Sequence, residues 1–168
     1  MNKNDLTYKK AGLPDVNTIY ALAEKIWRNH YISIISLEQI DYMLNKMYSA
    51  ESLSEQMQQG QQFTLVYLND LPVGYISIST KDQKNYFLHK FYIETTEQSR
   101  GIGTHLLGYM INSLESPETI ELTVNRKNYT AINFYFKNGF VIKEVADFDI
   151  GNGYFMNDFV MIKKIKKS

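Results

Sequence analysis

Apolar and polar positions along the chain change period several times, and each change marks an element. Leu6 to Ala11 alternates as a strand does, and Gly12-Leu13-Pro14-Asp15 then turns the chain into a helix. Val16, Ile19, Leu22, Ala23 and Ile26 form one stripe of that helix, which runs on toward Trp27, Asn29, His30 and Tyr31. Beyond Ile32 to Ile35, Ser36-x-x-Gln39 has the spacing of a capping box. Ile40, Met43, Leu44 and Met47 supply the apolar face of the helix that follows. A third, short helix is expected from about Ser52 to Met57, then a brief Gln/Gly linker from Gln58 to Gln62.

From Phe63 the pattern turns to strands. Phe63 to Leu68 and Val73 to Thr80 are joined by Asn69-Asp70-Leu71-Pro72, a hairpin signal, and Lys81 to Asn85 leads into Tyr86 to Ile93. Three consecutive strands with tight turns predict an antiparallel meander. Ile102, Leu106, Leu107, Met110, Ile111 and Leu114 then recur with the spacing of a one-faced helix, broken at Ser116-Pro117-Glu118. Thr119 to Asn125 alternates, Asn128 to Lys137 reads as a helix stopped by Asn138-Gly139, and Phe140 to Val145 and Tyr154 to Ile165 read as two last strands. One strand, two or three helices and then βββ-α-β-α-ββ predict a mixed sheet of the α/β or α+β class. No repeat or long linker divides residues 1–168, so a single domain is expected.

Composition narrows the function classes. The 168 residues are 44% hydrophobic and 21% charged, an ordinary globular balance able to bury a core. Lys+Arg and Asp+Glu number 18 each, so no global field draws the chain to nucleic acid or membrane. The absence of cysteine excludes disulfides, thiolate nucleophiles and cysteine-ligated metal. With no apolar leader after Met1-Asn2-Lys3-Asn4-Asp5, a cytoplasmic location is expected. The 13 tyrosines suit half-buried surfaces and a site for a polar or cationic ligand.

Candidate chemistry begins at Gln98-Ser99-Arg100-Gly101-Ile102-Gly103-Thr104, between an extended segment and a helix. Two glycines at such a junction let backbone approach a ligand, and the first helical turn offers N–H groups to a phosphate. No Gly-Lys-Ser/Thr follows, so this is no Walker loop. Leu106 stands where the dinucleotide fingerprint needs a small residue. The string resembles the Gln/Arg-x-x-Gly-x-Gly/Ala loop of the GNAT N-acetyltransferases. A second string, Asn128-Tyr129-Thr130-Ala131-Ile132-Asn133-Phe134-Tyr135-Phe136-Lys137-Asn138-Gly139-Phe140, is similar to that family's other pattern, with Asn128, Ala131 and Tyr135 expected on one helix face. Taken alone, this second string reads equally as an aromatic helix packed on a sheet.

The resemblance, which covers Leu6 to Ile165, implies a GNAT fold with a mostly antiparallel sheet of about seven strands, and acetyl-CoA as co-substrate without a metal. It places the pyrophosphate on residues Gln98 to Thr104, the pantetheine along Asn128 and Ala131, and the thioester against Phe91, Tyr92 and Ile93. It implies Tyr135 as the acid that protonates the departing thiolate, and a splay between the strand ending at Ile93 and that at 119–125. The base stays open. Residues 87, 89, 91 and 93 share a face in a regular strand, which makes His89 one candidate; Glu94, Glu121 and ordered water are the others.

The first helices overlie the acceptor site in the family. Here Trp27 and Tyr31 lead the candidates, with His30, Tyr42, Tyr48, Met43 and Met47 completing a cation-tolerant cleft; the alternative for most of them is a helix pair packed on the sheet. This region loosely resembles the bacterial polyamine acetyltransferases of the PaiA type, although acidic residues there (Glu38, Asp41, Glu51, Glu55) are sparse. The expectation is therefore direct acetyl transfer to a small amine, polyamine or peptide N-terminus; the alternative is a non-catalytic acyl-CoA sensor. A homodimer is an assembly the family often adopts.

Overall fold

The computed structural model describes residues 6–94 and 101–165. Its first strand, β1 (Leu6–Ala11), pairs antiparallel with β2 (Gln62–Leu68). Asn69 and Asp70 both take positive φ, 50° and 64°, which closes a two-residue hairpin into β3 (Leu71–Thr80). Leu71 and Pro72, expected in the turn, belong to the strand; Pro72 is tolerated beside the register shift at Val66/Tyr67. β4 (Asn85–Ile93) completes the meander, and β5 (Thr119–Asn125), β6 (Val141–Gly151) and β7 (Tyr154–Lys164) give the sheet order β1-β2-β3-β4-β5-β7-β6. Among the described residues, only β4 and β5 run parallel. β6 extends past its expected end at Val145 because β7 pairs with it as far as Gly151.

Three helices, α1 (Val16–His30), α2 (Leu37–Tyr48) and α3 (Ala50–Gln58), cover one face through Ile19, Leu22, Ile40, Leu44 and Leu53, which bury against Phe63, Leu65 and Tyr75. The opposite face carries α4 (Ile102–Ser113) and α5 (Tyr129–Lys137). Ile102 and Leu106 are fully buried there beside Ile120 and Met161. Burial stabilises each such side chain by about 1.5–3 kcal/mol, so the two apolar faces hold the helices to the sheet. Among the described residues, no helix is long and apolar enough to cross a membrane.

Local signals were met in part. Ser36 caps α2 by accepting from the Gln39 N–H at 3.1 Å, but the Gln39 side chain donates instead to the Phe155 carbonyl at 3.2 Å. Only half the capping box forms, because tertiary packing draws that amide to Phe155 and away from the Ser36 N–H, from which it would accept. Ser49 caps α3, which therefore starts earlier than expected. Lys163 donates to the Asn138 carbonyl at 2.6 Å and ties β7 to the end of α5.

Candidate active site

β4 and β5 are paired only from Asn85↔Thr119 to Leu88↔Leu122. Beyond that, β4 continues along β3 to Ile93↔Gly74, and β5 along β7 to Asn125↔Asp158. The two parallel strands therefore part in mid-sheet, as expected, and a cavity of about 280 Å³ opens where they do. Residues from both faces of the sheet line it, so it can bring together two ligands, one against each helix layer.

On the α4–α5 face, α4 begins at Gly101, whose φ of +74° is left-handed and which has no side chain to cap the first turn. Among the described residues, nothing lies within 4 Å of where a Cβ would stand. Gly101, Gly103 and Thr104 line the cavity, whereas the Ile102 side chain is sunk in the core and leaves only its backbone to contribute. Gln98, Ser99 and Arg100 lie outside the described residues. The open space beside uncapped N–H groups suits a pyrophosphate.

Asn128, Ala131 and Tyr135 also line this cavity, but Asn128 is the N-cap of α5 rather than a residue of its helical face. Its Oδ1 accepts from the Ala131 N–H at 3.2 Å, because the polar side chain satisfies a donor the helix end leaves over. Phe91 lies 5.6 Å from Phe134 and 6.4 Å from Tyr135 between ring centroids. Tyr135 is 7% exposed. Burial, with a smaller contribution from Tyr31, pushes its phenol well above the ordinary value, so it holds its proton at neutral pH.

On the α1–α3 face, Trp27 packs 4.6 Å from Tyr31 and 5.8 Å from Tyr92, again between centroids. All three line the cavity, with His30 and Met43. Tyr42, Tyr48 and Met47 do not: the Tyr75 hydroxyl donates to that of Tyr48 at 2.9 Å within the core, and Tyr42 donates to the Ile150 carbonyl. Tyr92, expected at the thioester with Phe91 and Ile93, instead points among these aromatic rings.

The base candidates separate. A bulge between Ser77 and Ile78 breaks the alternation of β4, so Leu88 shares a cluster with Phe91 and Ile93 while Lys90 lies over the Tyr48 and Phe63 rings. His89 falls at this bulge, not on the Ile93 face; it borders the cavity with Nε2 2.8 Å from Ser79 Oγ and its ring 4.8 Å from Phe87. Burial and then the Lys90 charge lower its pKa to about 4. Glu94 and Glu121 are ion-paired at 2.8 Å with Lys25 and Lys143, and neither lines the cavity.

One lining carboxylate escaped the sequence reading. Asp158 on β7 is 1% exposed, stands beside Asn125 in the sheet register, and among the described residues meets no donor in full hydrogen-bond geometry. Burial raises its pKa to about 6; the nearby Thr123 hydroxyl and Arg126 oppose the shift, and Asp147 adds to it. The alternation of Tyr154, Met156, Asp158 and Val160 signalled a strand face, but nothing in it signalled a cavity.

The model of the acetyltransferase (GNAT) domain matches residues 32–150. The chain is 25% identical over 163 residues to the spermidine N(1)-acetyltransferase of Thermoplasma acidophilum, covering 93% of this chain and 95% of that protein. It is 29% identical over 103 residues to the zebrafish (Danio rerio) N-alpha-acetyltransferase 50, covering 58% and 61%. The PaiA N-acetyltransferase of Thermoplasma acidophilum, solved with coenzyme A, superposes with a TM-score of 0.79 at 25% identity, over 95% of this chain and 99% of the other. With its parted strands, its glycine-led helix and its buried tyrosine, the chain belongs to the GNAT family and is an acetyl-CoA-dependent N-acetyltransferase.

Proposed function

We propose that the chain acetylates a primary amine of a small alkyl polyamine, with acetyl-CoA and acceptor held together. Gly101 to Thr104 would hold the pyrophosphate, Asn128 and Ala131 the pantetheine, and Phe91 and Ile93 the thioester end. Bound acetyl-CoA supplies the activated acetyl group. The amine attacks as the neutral base; as the C–N bond forms and the C–S bond breaks, Tyr135, protonated at neutral pH, supplies the proton that the leaving sulfur needs, and the proton given up by the amine nitrogen restores the phenol through solvent. Without a cysteine to carry the acetyl group, transfer is direct.

The observation that carries the acceptor class is the aromatic wall of Trp27, Tyr31 and Tyr92 facing the same cavity as Tyr135. Ring faces hold an alkylammonium chain by cation–π attraction and apolar contact. The likeness to a spermidine acetyltransferase over 93% of the chain supports the same class. His89 borders the cavity with its Nε2 2.8 Å from Ser79 Oγ, which leaves it, beside ordered water, as a candidate to take up the amine's proton.

The test is release of CoA thiol from acetyl-CoA with spermidine, alkyl monoamines, aryl amines and short peptides offered in turn. Release with spermidine and weaker release with monoamines is expected. Release with peptides alone would replace the acceptor class, and no release with any amine would overturn the reading.

A further inference from the structure

Asp158 has a physical profile that folding alone does not explain. A buried carboxylate is normally paired or well supplied with donors, because an ion loses its hydration there. Here both oxygens are shielded from water, no donor among the described residues meets them in full hydrogen-bond geometry, and the Thr123 hydroxyl offsets only part of the burial. Arg126, whose charge reaches the carboxylate, is committed to an ion pair with Asp147. Tyr31 stands close enough for the Asp158 charge to raise its phenol pKa. The groups that surround the carboxylate are thus Thr123 from β5, Arg126 after it, Asp147 from β6 and Tyr31 after α1. None of them neutralises it, and it lines the cavity on the aromatic side.

We infer that Asp158 is the binding group for the acceptor's ammonium. This rests on the reading of the acceptor as a cationic amine. The carboxylate supplies the opposite charge and the acceptor oxygens that an ammonium requires, while Tyr31 and Trp27 hold the alkyl chain beside it. The acidic partner that the first helices lack is delivered from β7, across the sheet. Asp158 is a substrate-binding residue in this assignment, and the proton supplied to the leaving sulfur still comes from Tyr135.

Trp27 is the only tryptophan, so its fluorescence reports ligands in the cavity without any turnover. Spermidine should change the Trp27 emission of the wild type at about pH 7.5, while a neutral alkyl diol should not. Asp158→Asn should bind spermidine about tenfold to a hundredfold more weakly and raise its KM, with acetyl-CoA affinity unchanged. The same variant should melt at a higher temperature at neutral pH, the opposite of what a merely structural carboxylate would give.

Equal spermidine affinity in Asp158→Asn and wild type would overturn the assignment. Wild-type protein supplies an arm that needs no variant: spermidine binding should weaken as pH falls through about 6, where the carboxylate gains a proton. Binding that stays flat down to about pH 5 would sink the inference even if the variant fails to fold. Turnover of some amine with an unchanged KM and pH profile in Asp158→Asn would remove Asp158 alone. No turnover with any amine would instead remove the proposed function.

Discussion

The hydroxyls of Tyr31 and Tyr92 lie 3.4 Å apart, although 61 positions separate them in the chain. This contact joins the turn after α1 to the last residues of β4, at the place where β4 leaves β5. Phe91, next to Tyr92, faces the other way, toward Phe134 and Tyr135. Two adjacent strand residues therefore look into the two halves of one cavity. That geometry lets acceptor and acetyl donor meet through the sheet.

Tyr135→Phe should lower turnover by about a hundredfold or more, the usual effect of removing a general acid. Acetyl-CoA affinity measured by calorimetry should be nearly unchanged, since the ring stays and only the hydroxyl goes. Because the phenol pKa is raised, the wild type should show no loss of rate from Tyr135 ionisation up to about pH 10. Unaltered turnover in the variant would take Tyr135 out of the mechanism.

Gly101→Val should weaken acetyl-CoA binding far more than it weakens the fold. A β-branched residue at φ +74° is strained by about 1–3 kcal/mol, but the space around it is open. Gly60 has a φ of +95° and is equally open, remote from the cavity, so Gly60→Val is the matched control. Both variants should lose similar stability in urea titrations. Only the first should lose acetyl-CoA, and similar affinities in the two would refute the loop assignment.

Gly74→Ala tests the strand pair beside the gap. A Cβ there would stand 2.6 Å from the Tyr92 carbonyl oxygen and 3.3 Å from the Ile93 Cα, both backbone atoms. The variant should lose about 1–3 kcal/mol of stability, since the backbone must shift to admit the methyl group. Turnover should fall as well, because Tyr92 and Ile93 would move with it. Full activity and an unchanged urea midpoint would show that β4 tolerates the displacement.

Lys90 sets an alkaline stability profile. It is 8% exposed, donates to Gln56 Oε1 at 2.6 Å, and burial lowers its pKa to about 8. Between there and its ordinary value of 10.5, the unfolded chain holds a proton that the folded one has released, so stability should rise with pH. Tyr48, Tyr75 and Tyr92 act in the opposite sense above pH 10, because burial raises their pKa values and unfolding frees their protons. Urea midpoints should therefore climb from about pH 8 and turn down above about 10, and Lys90→Met should remove the climb.

Much of the architecture was legible because it depends on local chemistry. The stripe Ile19, Leu22, Ala23 and Ile26 buries as its spacing requires, and Thr119–Asn125 is a strand with the expected bounds. Asn69-Asp70 makes the hairpin because those side chains tolerate positive φ. Gly101 and Tyr135 reach one cavity because two motifs at fixed spacings end on adjoining helices. Each of these follows from residues within one or two turns of one another.

His89 and Asp158 show what local pattern leaves undecided. A single extra residue at the β3–β4 bulge moves His89 off the face of Ile93, and no side chain near it announces that shift. Asp158 looks like one polar interruption in a strand, and it enters the cavity only because the register with β5 sets it beside Asn125. Strand pairing is a long-range choice, made by whole hydrophobic faces seeking burial rather than by neighbours along the chain. Neighbours along the chain set the elements and marked out Gly101 and Tyr135; only the pairing of distant strands settled which charged group lines the aromatic half of the cavity.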